Sequence, residues 1–258
     1  MRKLESRCRL VVCGTIVFFY APILVMIANS FNAARYSGSW KGFTFMWYGM
    51  LFKDADIWRA LGNSVIVALA STAASVCIGT TGALALRKWK SRLQTFHYGL
   101  VYTNLVLPDI LMGISLLLFF MAVGAELGLG TIILAHTTFC ISYVAMSVLG
   151  RLQDFDDSQI EAAKDLGANS WTAFWRVQFP LILPGIIAGG LLAFTLSIDD
   201  FVITFFVTGK GGDTLPVKIY SMIKHSKNLP IINALSTLLM LLTAATVFIS
   251  RMVQRKEE

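Results

Sequence analysis

The sequence predicts an all-α integral membrane protein with six transmembrane helices, on three observations. First, 56% of its 258 residues are hydrophobic and the mean hydropathy is +0.67. Second, only 14% are charged, against roughly 25% in soluble proteins. Third, those charges cluster and leave six mostly apolar windows, near 10–31, 60–86, 98–123, 131–150, 181–206 and 231–250. Each window supplies about 20 apolar residues, the length a helix needs to cross a hydrocarbon core of about 30 Å. The runs are continuous, whereas a β-barrel needs short alternating segments. Plentiful Gly, Phe and Met with only 6 Pro exclude disordered and collagen-like chains. A single transmembrane domain over 1–258 is expected, with one helix and an outside loop in 1–59 and five helices after it.

The first window follows a basic stretch, as a secretory signal core would. Its apolar run exceeds the about 7–15 residues of such a core, and Asn29-Ser30-Phe31 lacks a small-residue cleavage pattern. A retained helix is expected. Residues 31–58 are dense in aromatics: Phe31, Tyr36, Trp40, Phe43, Phe45, Trp47, Tyr48, Phe52 and Trp58. Tyr and Trp favour the headgroup zone, so this segment either lies along the outer surface or docks an external partner. The second window repeats small residues, among them Gly62, Ala68, Ser71, Ser75, Gly79 and Gly82. Small side chains let backbones approach closely in lipid, so this helix is expected inside a bundle or against a second subunit. Pro108 and Asp109 lie in the third window. His136 lies in the fourth, where a helix–helix hydrogen bond is the expected role. Gly189-Gly190 in the fifth serves either close packing or a bend. Beyond it, Thr208–Asp213 is flexible by composition and Leu215–Lys224 has the pattern of a short amphipathic helix. Four cysteines without CxxC spacing are expected as structural thiols.

Lys and Arg set the orientation. With a cytoplasmic N-terminus, the inside segments hold 14 of the 22 basic residues. These are Arg2, Lys3, Arg7, Arg9, Arg87, Lys88, Lys90, Arg92, Arg151, Lys164, Arg176, Arg251, Arg255 and Lys256. The outside loops hold Arg35, Lys41, Lys53, Arg59, Lys210, Lys218, Lys224 and Lys227. Both termini are therefore expected inside, and the loop between the fourth and fifth windows faces the cytoplasm. The net charge of +7 is a topology signal. Basic residues flank spans rather than gather on one face, so no nucleic-acid partner is expected.

That loop, 154–178, is the most informative polar stretch. Asp154, Asp156, Asp157 and Ser158 put an acidic cap at a helix N-terminus. After Glu161, the small side chains of Ala162 and Ala163 let another protein's surface approach the backbone. Gly167 permits a sharp turn into a second helix over 170–178, which gathers Trp171, Phe174 and Trp175 into an apolar stripe. Pro180 opens the next span. The whole run EAAKDLGANSWTAFWRVQFP closely resembles the coupling loop of permease subunits of ATP-binding-cassette importers. The resemblance implies a type I importer permease fold, with two short helices docked into a groove on a separate ATPase subunit. It makes Glu161, Ala162, Ala163, Gly167, Trp171, Phe174 and Pro180 the expected ATPase-coupling residues. Val177 and Phe179 stand where that family usually has Ile and Leu, and both stay apolar.

Intramembrane carboxylates point to the cargo, because a charge at the bilayer centre costs on the order of 3 kcal/mol even on the mildest scale. Asp109 is expected near mid-membrane. Asp199, about 28 Å from Pro180 at about 1.5 Å per residue, is expected near the outer leaflet beside Asp200. No Lys or Arg lies at those depths to pair with them. Such carboxylates either face a wet cavity that receives cations or cap freed backbone, Asp109 beside Pro108 and Asp200 at a re-entrant turn. Tyr102, Phe201 and Tyr220 add candidate cation–π contacts.

The stretches LPDILMGISLLLF, LSIDDFVITFFVTG, LPVKIYSMIK and WKGFTFMWY are similar to the spermidine/putrescine importer permeases, over about residues 20–250. This resemblance implies an inner-membrane complex of this subunit, a related second permease, an ATPase homodimer that binds ATP and Mg, and a periplasmic substrate-binding protein. Polyamine would be the substrate and membrane lipid the surround. Asp109, Asp199, Asp200, Tyr102, Phe201 and Tyr220 are then the expected substrate-pathway residues, with 208–224 meeting the binding protein or its released substrate. Alternatives are a relative that imports ferric iron, thiamine or a phosphonate, and a secondary transporter or channel. No internal repeat is visible, which argues against inverted-repeat secondary transporters. There is no GxxxxGK[ST] loop and no nucleophile–base constellation, and His97, His136 and His225 are isolated from one another. No enzyme activity, cofactor or metal site of its own is expected.

Overall fold

In the computed structural model, residues 2–35, 39–88, 94–153, 155–225 and 229–254 are described. Tyr36, Lys90, Arg92, Asp154, Lys227, Arg255 and Lys256 from the expectations above lie outside them. The regular structure among the described residues is helical, apart from one isolated bridge between Asn32 and Phe43. In chain order the helices are α1 (Arg2–Ser30), α2 (Met46–Lys53), α3 (Ala55–Lys88), α4 (Gln94–Val106), α5 (Asp109–Ala122) and α6 (Leu129–Gln153). Then come α7 (Ser158–Asp165), α8 (Ser170–Ala173), α9 (Phe179–Asp199), α10 (Val202–Val207), α11 (Leu215–His225) and α12 (Leu229–Gln254). A π-helical turn, Phe174–Gln178, joins α8 to α9. Contacts group the chain into two compact units, Met1–Trp58 with Lys218–Glu258, and Arg59–Val217.

In the first unit α12 packs on α1 and α2. The loop between α1 and α2 is built around Asn32. Its Oδ1 accepts from the Ala34 and Lys41 amides, both at 3.0 Å, and its carbonyl accepts from Trp47 Nε1 at 2.8 Å. Phe31 stacks on Phe43 with centroids 5.2 Å apart and meets Tyr48 at 5.3 Å. The aromatic segment is thus an ordered platform that leaves Trp40, Phe43 and Phe45 exposed. Lys218 pairs with Asp56 at 3.3 Å.

The second unit holds the core. Its most extensive contact is between α6 and α9, made possible by missing side chains. A Cβ on Gly189 would lie 3.0 Å from Val144 Cα, and one on Gly185 would lie 3.0 Å from Ser147 O. Gly189-Gly190 therefore serves packing, because α9 runs through it unbroken.

Two expected spans are corrected. The window 98–123 is not one helix but α4 and α5, which meet at 110°. Pro108 lacks an N–H and disfavours a helical Leu107, so the helix ends there. The window 181–206 divides at Asp200, whose extended backbone (φ −66°, ψ 127°) separates α9 from α10. By length and composition α1 from Val11, α3, α6 and the run Ser170–Asp199 can each cross a membrane, and the bent α4–α5 pair would make a fifth. In α12 a shorter apolar stretch, Leu229–Leu241, is described.

Candidate functional site

One cavity of about 340 Å³ gathers four of the expected pathway residues: Asp109, Asp199, Asp200 and Phe201. Phe139, Tyr143 and Thr195 share its wall, and no Lys or Arg among the described residues lines it. The helix breaks build it. α5 crosses α10 at Gly113, where a Cβ would lie 2.7 Å from Phe206 Cδ2 and 3.3 Å from Ile203 Cα. That close approach, about one turn from Asp109, brings the first residue of α5 beside the α9–α10 break. Asp109 thus lies at a helix start, where the dipole favours a negative charge. Tyr102 on α4 is not among the described residues that line this cavity, and Tyr220 on α11 belongs to the other unit. Tyr220 instead has Lys224 Nζ 6.0 Å from its ring centroid.

Asp200 is a cap as well as a wall residue, which realises the capping alternative at this position. Its Oδ2 accepts from the Thr204 amide and the Thr204 hydroxyl, both at 2.8 Å, and its Oδ1 accepts from the Ile203 amide at 3.3 Å. His136 Nε2 lies 3.3 Å from Oδ2. A carboxylate only 9% exposed needs partners of this kind. His136 itself is fully buried. Its Nδ1 lies 2.7 Å from Ser197 Oγ, which is 3.0 Å from Ser71 Oγ. The segment after α10, flexible by composition, is tied down by residues far away in sequence. Asn63 Nδ2 donates to the Gly211 and Asp213 carbonyls at 3.1 and 3.0 Å, and Ser64 Oγ accepts from the Leu215 amide at 2.8 Å.

The loop between α6 and α9 is built from local signals. Asp156 accepts from the Ser158 hydroxyl at 2.6 Å and the Ser158 amide at 2.9 Å, bonds that hold its carboxyl below the usual carboxylate range. Asp157 pairs with Arg87 Nη2 at 2.9 Å, and the same nitrogen donates to the Phe155 carbonyl, so the end of α3 is tied to this loop. α7 ends with the Ala168 amide on the Ala163 carbonyl at 3.0 Å and the Gly167 amide on the Lys164 carbonyl at 2.8 Å. This paired termination needs a left-handed residue, and Gly167 supplies it with φ +88°. Asn169 then caps α8, its Oδ1 accepting from the Thr172 amide at 2.8 Å.

Two expectations for this loop change. The second helix is not separate: α8, the π turn and α9 form one helical run over Ser170–Asp199. Pro180 cannot donate to Arg176, and its ring crowds that carbonyl, so the preceding turn widens. The aromatic stripe also divides. Trp171 and Trp175 are exposed, at 71% and 44%, with Glu161 and Ala162 exposed beside Ala163, which is half-buried. Phe174, whose ring meets that of Trp175 edge-on at 5.3 Å, lines a cavity of about 490 Å³ with Arg87, Asp157, Lys164 and Gln178.

Residues 75–257 match one family, the binding-protein-dependent transport system inner membrane component. The chain belongs to that family. As a permease it is 40% identical over 238 residues to the spermidine/putrescine transport system permease protein PotC of Escherichia coli (strain K12), covering 92% of this chain and 90% of that protein. It is 41% identical over 230 residues to the putrescine transport system permease protein PotI of the same strain, covering 86% and 82%. Its fold matches the crystal structure of a bacterial alginate ABC transporter in complex with an alginate pentasaccharide-bound periplasmic protein. There the TM-score is 0.73 at 15% identity, over 95% of this chain and 91% of that one. The expected importer-permease fold is borne out, and the permease is a transport component, not an enzyme.

Proposed function

We propose that this permease moves polyamines, spermidine or putrescine, across the inner membrane as one subunit of an ATP-driven importer. The observation that carries the proposal is the cavity at the two helix breaks, lined by Asp109, Asp199 and Asp200 and, among the described residues, by no basic side chain. Three carboxylates at one cavity suit a cargo with several ammonium groups and disfavour a phosphonate. The names of the PotC and PotI relatives point to the same cargo. A periplasmic binding protein delivers it, a related second permease completes the pathway, and an ATPase homodimer holds ATP and Mg. Both termini then face the cytoplasm, as the charge bias predicts.

Coupling follows from the continuous helix. The run Ser170–Asp199 has 30 residues, about 45 Å at about 1.5 Å per residue. An ATPase that grips Trp171, Trp175 and the exposed face of α7 pushes on one end of this rod, and the carboxylates sit at the other. The π turn at Phe174–Gln178 is the point where the rod changes its winding. Movement of the ATPases thereby reaches the cavity without an intervening loop.

The test is labelled-spermidine uptake by the complete importer in proteoliposomes, with putrescine as competitor. Asp109→Asn and Asp199→Asn should each lower uptake about tenfold. Full uptake in both variants removes the carboxylate pathway, and no spermidine or putrescine uptake by the native complex removes the cargo.

A further inference from the structure

We propose that His136 is the positioning residue of this pathway: it clamps the α9–α10 break and fixes the Asp200 carboxylate at the cavity wall. The inference rests on the reading that Asp200 lies on the polyamine route. His136 is fully buried in α6 and touches both sides of the break. Nδ1 is 2.7 Å from Ser197 Oγ, in the last turn of α9, and Nε2 is 2.8 Å from Thr204 Oγ1, in the first turn of α10. One rigid ring therefore spans the point where the helical backbone stops and restarts.

The directions of the hydrogen bonds place a proton on Nε2. An ionised Asp200 can only accept, so the Thr204 hydroxyl donates to its Oδ2 at 2.8 Å. Thr204 Oγ1 has no proton left for His136 and must accept, so Nε2 donates to it. On the other side of the ring Nδ1 meets Ser197 Oγ at 2.7 Å, which is 3.0 Å from Ser71 Oγ, and Ser71 Oγ lies 3.3 Å from the Ala68 carbonyl. One polar chain thus runs from α3 to α10. The consequence falls on the carboxylate. Oδ2 is held by the Thr204 amide and hydroxyl and faces Nε2 at 3.3 Å, whereas among the described residues Oδ1 takes only the Ile203 amide at 3.3 Å. Oδ1 is the oxygen with capacity left for an ammonium group.

A buried His that merely filled space could be replaced by Leu at the cost of packing alone. A clamp needs polar groups that reach both hydroxyls, and Gln carries an N–H and an oxygen whereas Leu carries neither. Uptake is measured with the complete importer in proteoliposomes against the concentration of spermidine-loaded binding protein. His136→Leu should lower kcat about tenfold with little change in KM, since the docking surface for the binding protein is untouched. His136→Gln should recover most of that loss. In an Asp200→Asn background His136→Leu should cause no further loss, because the two residues act as one unit. Should the Leu variant fail to assemble, His136→Asn takes its place, since its shorter amide cannot reach both hydroxyls. Wild-type kcat in His136→Leu, no recovery in His136→Gln, or losses that multiply in the double variant would each overturn the clamp. Wild-type uptake in Asp200→Asn alone would overturn the pathway reading beneath it.

Discussion

The two ends of the helical run Ser170–Asp199 are made by opposite means. At its start, α7, Gly167, Asn169 and the exposed tryptophans lie within about twenty residues of one another in sequence and form a surface with little cover. At its end, Asp200 is held by His136 through Thr204, with Ser197 and Ser71 on the ring's other side, so that α3, α6, α9 and α10 share one buried network. The first end is a locally built shape that the proposed coupling offers to a partner. The second is a cavity that exists only after distant helices have packed. A change at the first end should therefore spoil the engagement of the drive, and a change at the second should spoil the handling of cargo.

Gly167→Val should give the largest effect. A β-branched residue at φ +88° costs roughly 1–2 kcal/mol locally and redirects the chain into α8. Uptake should fall by more than about tenfold, together with recovery of the ATPase subunit in affinity pull-down. Normal recovery would mean that the turn does not shape the docking surface. Next is Gly113→Val at the other end, which drives a side chain into Phe206 and the backbone of Ile203. Uptake should drop about tenfold while ATPase recovery stays normal, and a loss of both would erase the contrast between the two ends.

How much could be seen beforehand follows the same division. The shape of the loop between α6 and α9 was legible because Glu161, the two alanines and Gly167 are local signals, and the structure adds that Phe174 lines an inner cavity and that α8 runs on into α9. The long apolar helices were legible as hydropathy windows. Their breaks were not placed, although Pro108 and the Asp199-Asp200 pair were in view, because a hydropathy window averages over a break of two residues. Gly113 gave no warning, since a lone glycine in an apolar run has no pattern. His136 gave half of one: a buried imidazole implies hydrogen-bond partners, but Ser197 and Thr204 lie 61 and 68 residues away in sequence. Asn63 and Ser64, which tie down the segment after α10, sit among small residues that suggest packing alone.

Smaller effects sharpen the contrast. Asn104 in α4 donates to the Thr138 and Phe139 carbonyls and to Ser142 Oγ, all on α6. Asn104→Ala should lower stability by about 1–2 kcal/mol, read as a lower Tm of the detergent-solubilised complex, with a modest loss of uptake. An unchanged Tm would mean that these bonds do not hold α4 in place. The smallest effect is expected at Asp156. Its carboxyl is depressed in the folded loop, so its support of α7 is full above the ordinary aspartate range and fades as pH falls through the lowered value. Amide exchange in α7 should quicken on acidification, and Asp156→Asn should flatten that dependence; equal profiles would remove Asp156 as the cap.

The number of polyamine molecules moved per ATP hydrolysed, by the reconstituted complex with saturating loaded binding protein, separates the two ends directly. Asp199→Asn at the cavity should lower that ratio, because ATP is turned over while cargo is not passed. Gly167→Val at the loop should lower both rates and leave the ratio near that of the native complex. A native ratio in Asp199→Asn would contradict the assignment of the carboxylate cavity as the route for cargo.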